Sequence, residues 1–121
     1  MKENVIVSKS FAFSVRIVNL HRYLSQNKKE YVISRQIYKS GTSIGANIAE
    51  SQRAQSTADF VAKMKIALKE ANETQYWLRL LYETEYITEK EFSSMHGDLV
   101  EILKNFNSNL QALSSKQSMN F

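Results

Sequence analysis

Residues 40–51 read S-G-T-S-I-G-A-N-I-A-E-S, and two of the three glycines of this 121-residue chain, Gly41 and Gly45, stand here four positions apart. Such a stretch is either a loop that cradles phosphate or the middle of a helix that lets a neighbour come close. A Walker-type loop needs G-x-x-x-x-G-K-[ST] after a strand. Here the spacing is wrong and no lysine follows Gly45. The flanks decide the reading. Ile33 and Ile37 precede the glycines at helical spacing, and Ile44 and Ile48 resume the same face after them. An apolar stripe that keeps its phase belongs to one helix, which also excludes a dinucleotide-binding turn. Beside the isoleucines lie Gly41, Gly45 and Ala49 at i, i+4 and i+8. Each mid-helix glycine costs about 1 kcal/mol relative to alanine, a cost that close approach of another helix offsets. On the other flank, Ser43, Asn47 and Glu50 are expected to form a hydrogen-bonded cluster across a helix interface. A ligand site lined by Asn47 and Glu50 is the alternative.

The rest of the chain continues the pattern. Proline is absent, which suits long uninterrupted helices. Helical periodicity predicts segments at about 3–24, 30–53, 57–84 and 89–113, with a tail, 114–121, that is expected to fray. Ser56 and Asp59 form an S-x-x-D helix start, and Thr88 and Glu91 a full capping box with Ile87 and Phe92 as a staple. Four such helices with short loops imply an all-α, antiparallel up-and-down four-helix bundle in a single domain, 1–121. In the third helix Phe60, Met64, Ala67, Ala71, Leu78 and Tyr82 share a stripe; in the fourth Phe92, Leu99, Leu103, Phe106, Leu110 and Leu113 do.

The first helix carries two stripes. Val7, Phe11, Val15 and Val18 make one, and Ile6, Phe13, Ile17, Leu20 and Leu24 make another on a different face. A monomer buries one stripe of a surface helix. The second set, Ile6 to Leu24, is therefore expected to form a homo-oligomer interface. A first helix sandwiched within its own bundle is the alternative.

Several chemistries are excluded. Without cysteine there are no disulfides, thiol nucleophiles or thiolate-bound metals, and a reducing cytoplasm is the expected compartment. No apolar run reaches the ~20 residues that span a bilayer. The N-terminal stretch is broken by Glu3, Asn4 and Ser8–Lys9 and reads as a helix start, not a signal peptide. A di-metal bundle would need Glu-x-x-His pairs, and neither His21 nor His96 has glutamate three positions earlier. No catalytic residue, cofactor site or metal site is expected, and the chain reads as a non-enzyme.

Sixteen Lys+Arg against twelve Asp+Glu leave a net charge of +4. Lys28, Arg35 and Lys39 recur at i, i+7 and i+11 opposite the isoleucine face, and Arg53, Lys63, Lys65 and Lys69 extend the basic set. These residues are candidates for binding RNA phosphates. An ordinary solvated face, or a surface that docks an acidic protein, is equally compatible with the charge. No stacking platform for bases is evident.

The run from Gln36 to Ile87 resembles the bacterial four-helix-bundle family of 23S rRNA intervening-sequence proteins. Its hallmark, S-I-x-A-N-I-A-E, is matched by Ser43, Ile44, Ala46, Asn47, Ile48, Ala49 and Glu50. A second block is matched by Phe60 to Leu68 with Glu70 and Glu73, before Tyr76-Trp77-Leu78. The likeness covers about residues 5–113. Many members carry proline at the position of Gly45. The resemblance implies a bundle that assembles as a homopentamer, has no attached enzymatic activity, and is associated with rRNA genes. A related accessory protein of diversity-generating retroelements is a basic pentamer that engages nucleic acid and a reverse transcriptase. RNA-binding or ribosome-associated work is the implied function, with a protein-binding scaffold as the alternative.

Overall fold

The structure, a computed structural model, describes residues 4–118. Four helices follow one another: α1 (Val5–Asn27), α2 (Val32–Ser51), α3 (Thr57–Glu83) and α4 (Glu89–Ser118). Each packs on its sequence neighbours, and α4 closes the ring onto α1. Cross-helix bonds fix the directions. Asn4 pairs with Gln52 and His21 with Ser34, so α1 and α2 run antiparallel. Ser40 opposite Thr74 and Ser51 opposite Met64 do the same for α2 and α3. This is the up-and-down bundle that the short loops imply.

Local chemistry sets the helix ends. Ser56 Oγ accepts the Asp59 N–H at 3.0 Å, and Thr88 and Glu91 exchange side-chain-to-backbone bonds at 2.8 and 3.1 Å, as a capping box should. The start of α2 differs from expectation. Its cap is the buried carboxylate of Glu30, which accepts the N–H groups of Val32, Ile33 and Ser34, so the helix begins at Val32 and not at residue 30. A negative group suits the positive helix end. Two other ends use left-handed residues that are not glycine, Lys29 (φ 55°) and Glu85 (φ 66°). After α3 the N–H groups of Glu85 and Tyr86 return to Tyr82 and Leu81, a Schellman closure. Helix α1 runs past Leu24 to Asn27. Helix α4 continues to Ser118, so 114–118 are helical where fraying was expected; 119–121 lie outside the described residues.

The core joins all four helices. Ile37, Ile44 and Ile48 of α2, Met64, Ala67, Ala71 and Leu78 of α3, and Leu99 and Phe106 of α4 are buried as their periodicity requires. Ile102 and Met95 join them from α4. Helix α1 corrects the reading of its two stripes. Ile6, Phe13, Ile17 and Leu24 are buried inside the subunit and Leu20 packs against them, so this set is core and not an oligomer face. The outward face carries Phe11, 70% exposed, and Val15, 48% exposed.

The glycines explain the choice. A Cβ on Gly41 would lie 2.7 Å from the Ile17 side chain, and one on Gly45 would lie 2.9 Å from Ser14 Oγ and 3.2 Å from the Ser10 carbonyl oxygen. The groove on α2 therefore receives the α1 face that bears Ser10, Ser14 and Ile17. Gly97 differs, because nothing lies within 4 Å of a Cβ built there.

These differences predict opposite outcomes for one substitution. Gly97→Ala gains helix propensity at no steric cost and should raise unfolding stability by about 0.5–1 kcal/mol. Gly41→Ala drives a methyl into the fully buried Ile17 and should lower it by about 1–2 kcal/mol, overpacking exceeding the propensity gain. Urea denaturation followed by circular dichroism measures both. Equal effects at the two sites would refute the close-packing role.

Candidate nucleic-acid interface

Among the described cations, Lys9 and Arg16 alone meet a carboxylate. Arg16 on α1 reaches Asp98 at 2.7 Å and also bonds the Ser94 hydroxyl and carbonyl, while Lys9 meets Glu101 at 3.6 Å. These contacts tie α1 to α4. By contrast, among the described residues, Lys28, Arg35, Lys39, Arg53, Lys63, Lys65 and Lys69 have no carboxylate oxygen within 4.0 Å. All are exposed except Lys63, which is half-buried.

The seven do not make one stripe. Arg35 and Lys39 are one turn apart on exposed positions of α2. Lys28 stands in the turn before α2, its ammonium 5.8 Å from the Tyr23 ring centroid. Arg53 follows the far end of α2, eighteen positions from Arg35 and thus about 27 Å along the axis. Lys65 and Lys69 pair at i, i+4 on exposed positions of α3.

The α2–α3 seam has its own electrostatics. The Ser40 and Thr74 hydroxyls lie 2.9 Å apart and buried, and Thr74 also donates to the Glu70 carbonyl at 2.8 Å. One proton cannot serve both bonds, so Ser40 donates across the seam. Burial, and then the adjacent Glu73, push the Glu70 carboxyl above its ordinary range, against the pull of Lys69 and Lys39. Lys39 is thus brought near an acid, although not into an ion pair.

The expected cluster of Ser43, Asn47 and Glu50 is not formed. Asn47 Nδ2 donates to the Ser43 carbonyl of its own helix at 2.8 Å, and Glu50 is exposed. The cause is local: an amide four residues after a carbonyl satisfies itself within one helix. Among the described residues no group of three or more acidic or histidine side chains is placed to hold a metal, and no helix is long and apolar enough to cross a membrane.

One feature was missed in the sequence. Between α3 and α4 lies a cleft of about 400 Å³ lined by Asn72, Gln75, Tyr76, Arg79, Phe92 and His96. Phe92 and His96 of its lining belong to an aromatic stack with Tyr82. Tyr82 and Phe92 lie 4.9 Å apart at 21°, and Phe92 and His96 5.2 Å apart at 14°. Phe92 and His96 are four apart on α4, a spacing that brings side chains together on one helix face.

Comparison with known proteins agrees with this architecture. Residues 2–108 match the family model described as 23S rRNA-intervening sequence protein. A crystal structure of a protein of unknown function from the S23 ribosomal protein family of Bacteroides thetaiotaomicron VPI-5482 is similar. It has a TM-score of 0.85 and 57% identity, over 86% of this chain and 96% of that one. No curated protein matches.

The raised Glu70 carboxyl has a measurable consequence. A carboxyl raised by folding holds its proton more tightly folded than unfolded. Its stabilising contribution is complete below the unfolded pKa and is lost as pH rises through the folded value. Glu70→Gln, uncharged at every pH, should therefore melt higher than the parent at pH 7. The difference should vanish near about pH 3, below the ordinary carboxylate range. Melting curves across pH test this; a lower melting point for the variant at pH 7 would refute it.

Proposed function

The chain belongs to the family of 23S rRNA-intervening sequence proteins, and on that footing we propose that it is a non-enzymatic, self-associating bundle whose outward cations bind RNA phosphates. The observation that carries this reading is a set of exposed cations without carboxylate partners. Lys9 and Arg16 on α1 are paired with acids of α4, whereas Lys28, Arg35, Lys39, Lys65 and Lys69 are held out to solvent with no carboxylate in contact range among the described residues. Lysine and arginine so placed release counterions from a polyanion. The family's association with rRNA genes points to RNA as that polyanion and to work in the cytoplasm.

Self-association rests on α1. Phe11 and Val15 stand one turn apart on its outward face, too apolar to be left in water without reason. A second copy of the chain is the proposed cover, with the ring of five that the resemblance implies. Repetition around such a ring multiplies phosphate contacts and strengthens binding by avidity.

Filter retention of single-stranded RNA across a salt series tests the RNA reading. Three phosphate contacts per subunit predict a slope of about −2 in log K against log salt for each subunit engaged. Replacing Lys28, Arg35 and Lys39 together by glutamate should abolish retention and leave the oligomer intact. Binding that ignores salt, or no binding, would favour a protein-docking scaffold instead. Light scattering tests assembly: Phe11→Asp with Val15→Asp should dissociate the oligomer, and a parent protein that is monomeric at micromolar concentration would refute it.

A further inference from the structure

We infer that the α3–α4 cleft is a nucleobase site, which takes one unstacked base of a single-stranded RNA whose backbone runs along α3. The inference rests on the RNA reading above and adds contact with bases to it. Three observations meet here. Tyr76 is 62% exposed, and it is held in place by an edge-to-face contact with Trp77 at 5.1 Å. An aromatic ring that is both exposed and fixed offers a stacking face at small entropic cost.

The polar groups around it suit the edge of a base. Gln75 Nε2 lies 2.9 Å from His96 Nε2. With His96 in its Nδ1–H tautomer, Nε2 accepts from the amide, leaving the amide's second N–H and its oxygen unused. Asn72 is exposed, and its amide has no partner among the described residues. Two carboxamides in one cleft present donors and acceptors together, the combination that base edges demand and that a purely apolar ligand would leave unpaired.

The charge around the cleft suits the backbone. Lys65, Lys69, Asn72, Tyr76 and Arg79 follow one another at spacings of four, three, four and three, so they form one face of α3. All five are exposed, and neither the two lysines nor Arg79 has a carboxylate within 4.0 Å among the described residues. Phosphates would thus meet cations on both sides of the stacking ring. A peptide ligand would use the cations only if acidic and would leave the paired amides and the aromatic face without a common role.

Trp77 is the only tryptophan in the chain and touches Tyr76, which supplies a built-in reporter. The test compares a fluorescein-labelled uridine 12-mer with an abasic ribose-phosphate 12-mer of equal charge, by anisotropy and by Trp77 emission. The uridine oligomer should bind about tenfold tighter and should change Trp77 emission, whereas the abasic chain should not. Tyr76→Ala should remove that preference and leave abasic binding unchanged; Tyr76→Phe, which keeps the ring, should retain it. Equal affinity for the two oligomers, or a Tyr76→Ala variant that still prefers uridine, overturns the base site while leaving phosphate binding in place. A Tyr76→Ala variant that loses both ligands equally also overturns it, because the ring would then act on the fold or the phosphates alone. If the parent protein binds neither oligomer, the RNA reading and the base site fall together.

Discussion

The rest of the bundle depends on how closely α2 is allowed to approach α1. Gly41 lies against Ile17 and Gly45 against Ser10 and Ser14, so close that a Cβ at either position would force its neighbour to shift. Two glycines in a helix interior sacrifice about 2 kcal/mol of propensity. What they obtain is a fixed rotation of α1. With Ile17 held at 0% exposure under Gly41, Ile6, Phe13 and Leu24 must also point inward. Phe11 and Val15 are then forced out. The contact that builds the core thereby also decides which face is left for assembly.

Charge is distributed on a different principle from packing. Exposed ion pairs contribute little, typically below about 1 kcal/mol. The bonds of Arg16 and Lys9 to α4 are partly exposed and do not hold that helix in place; Leu99, Ile102 and Phe106 do, each almost wholly buried. The pairs therefore matter less for stability than for what they remove from the surface. They neutralise Lys9 and Arg16, while Arg22 of α1, Lys104 of α4 and the cations of α2 and α3 have no such partner among the described residues. Glu70 lies near Lys69 and Lys39, and burial and then Glu73 raise its carboxyl against their pull.

The helices and most of their boundaries were legible because periodicity and caps are local. Ser56, Thr88 and Glu91 each act within three residues of themselves, so their role follows from spacing alone. Glu30 was less legible: it caps α2 from two residues before the helix, a position where glutamate is not the usual residue. The orientation of α1 was misread because its two stripes are about equally apolar. The residues that distinguish them, Ser10 and Ser14, count as polar in a periodicity argument, whereas the structure uses them for being small. The α3–α4 cleft was invisible for another reason. It needs Gln75 and Tyr76 to stand beside Phe92 and His96, and that depends on the register of two helices. Only the Phe92–His96 spacing was available in one dimension.

The composition of the α3–α4 seam separates it from the others. Where α2 meets α1 and α3, the contacts are glycine, isoleucine and small hydroxyls, buried and, Ser34 Oγ apart, hydrogen-bonded within the fold. Where α3 meets α4, the bundle places Gln75 and His96 against each other and keeps Asn72, Tyr76 and Arg79 open beside them. Leucine at position 96 would extend the stripe of Leu99 and Leu103 on α4 and bury more apolar area. Stability therefore does not account for His96. Phe92 and His96 of the cleft lining are already stacked, so a planar ligand would meet a surface that needs little rearrangement. A seam that gives up apolar burial and keeps a pre-formed aromatic wall is the part of this bundle most suited to a molecule other than itself.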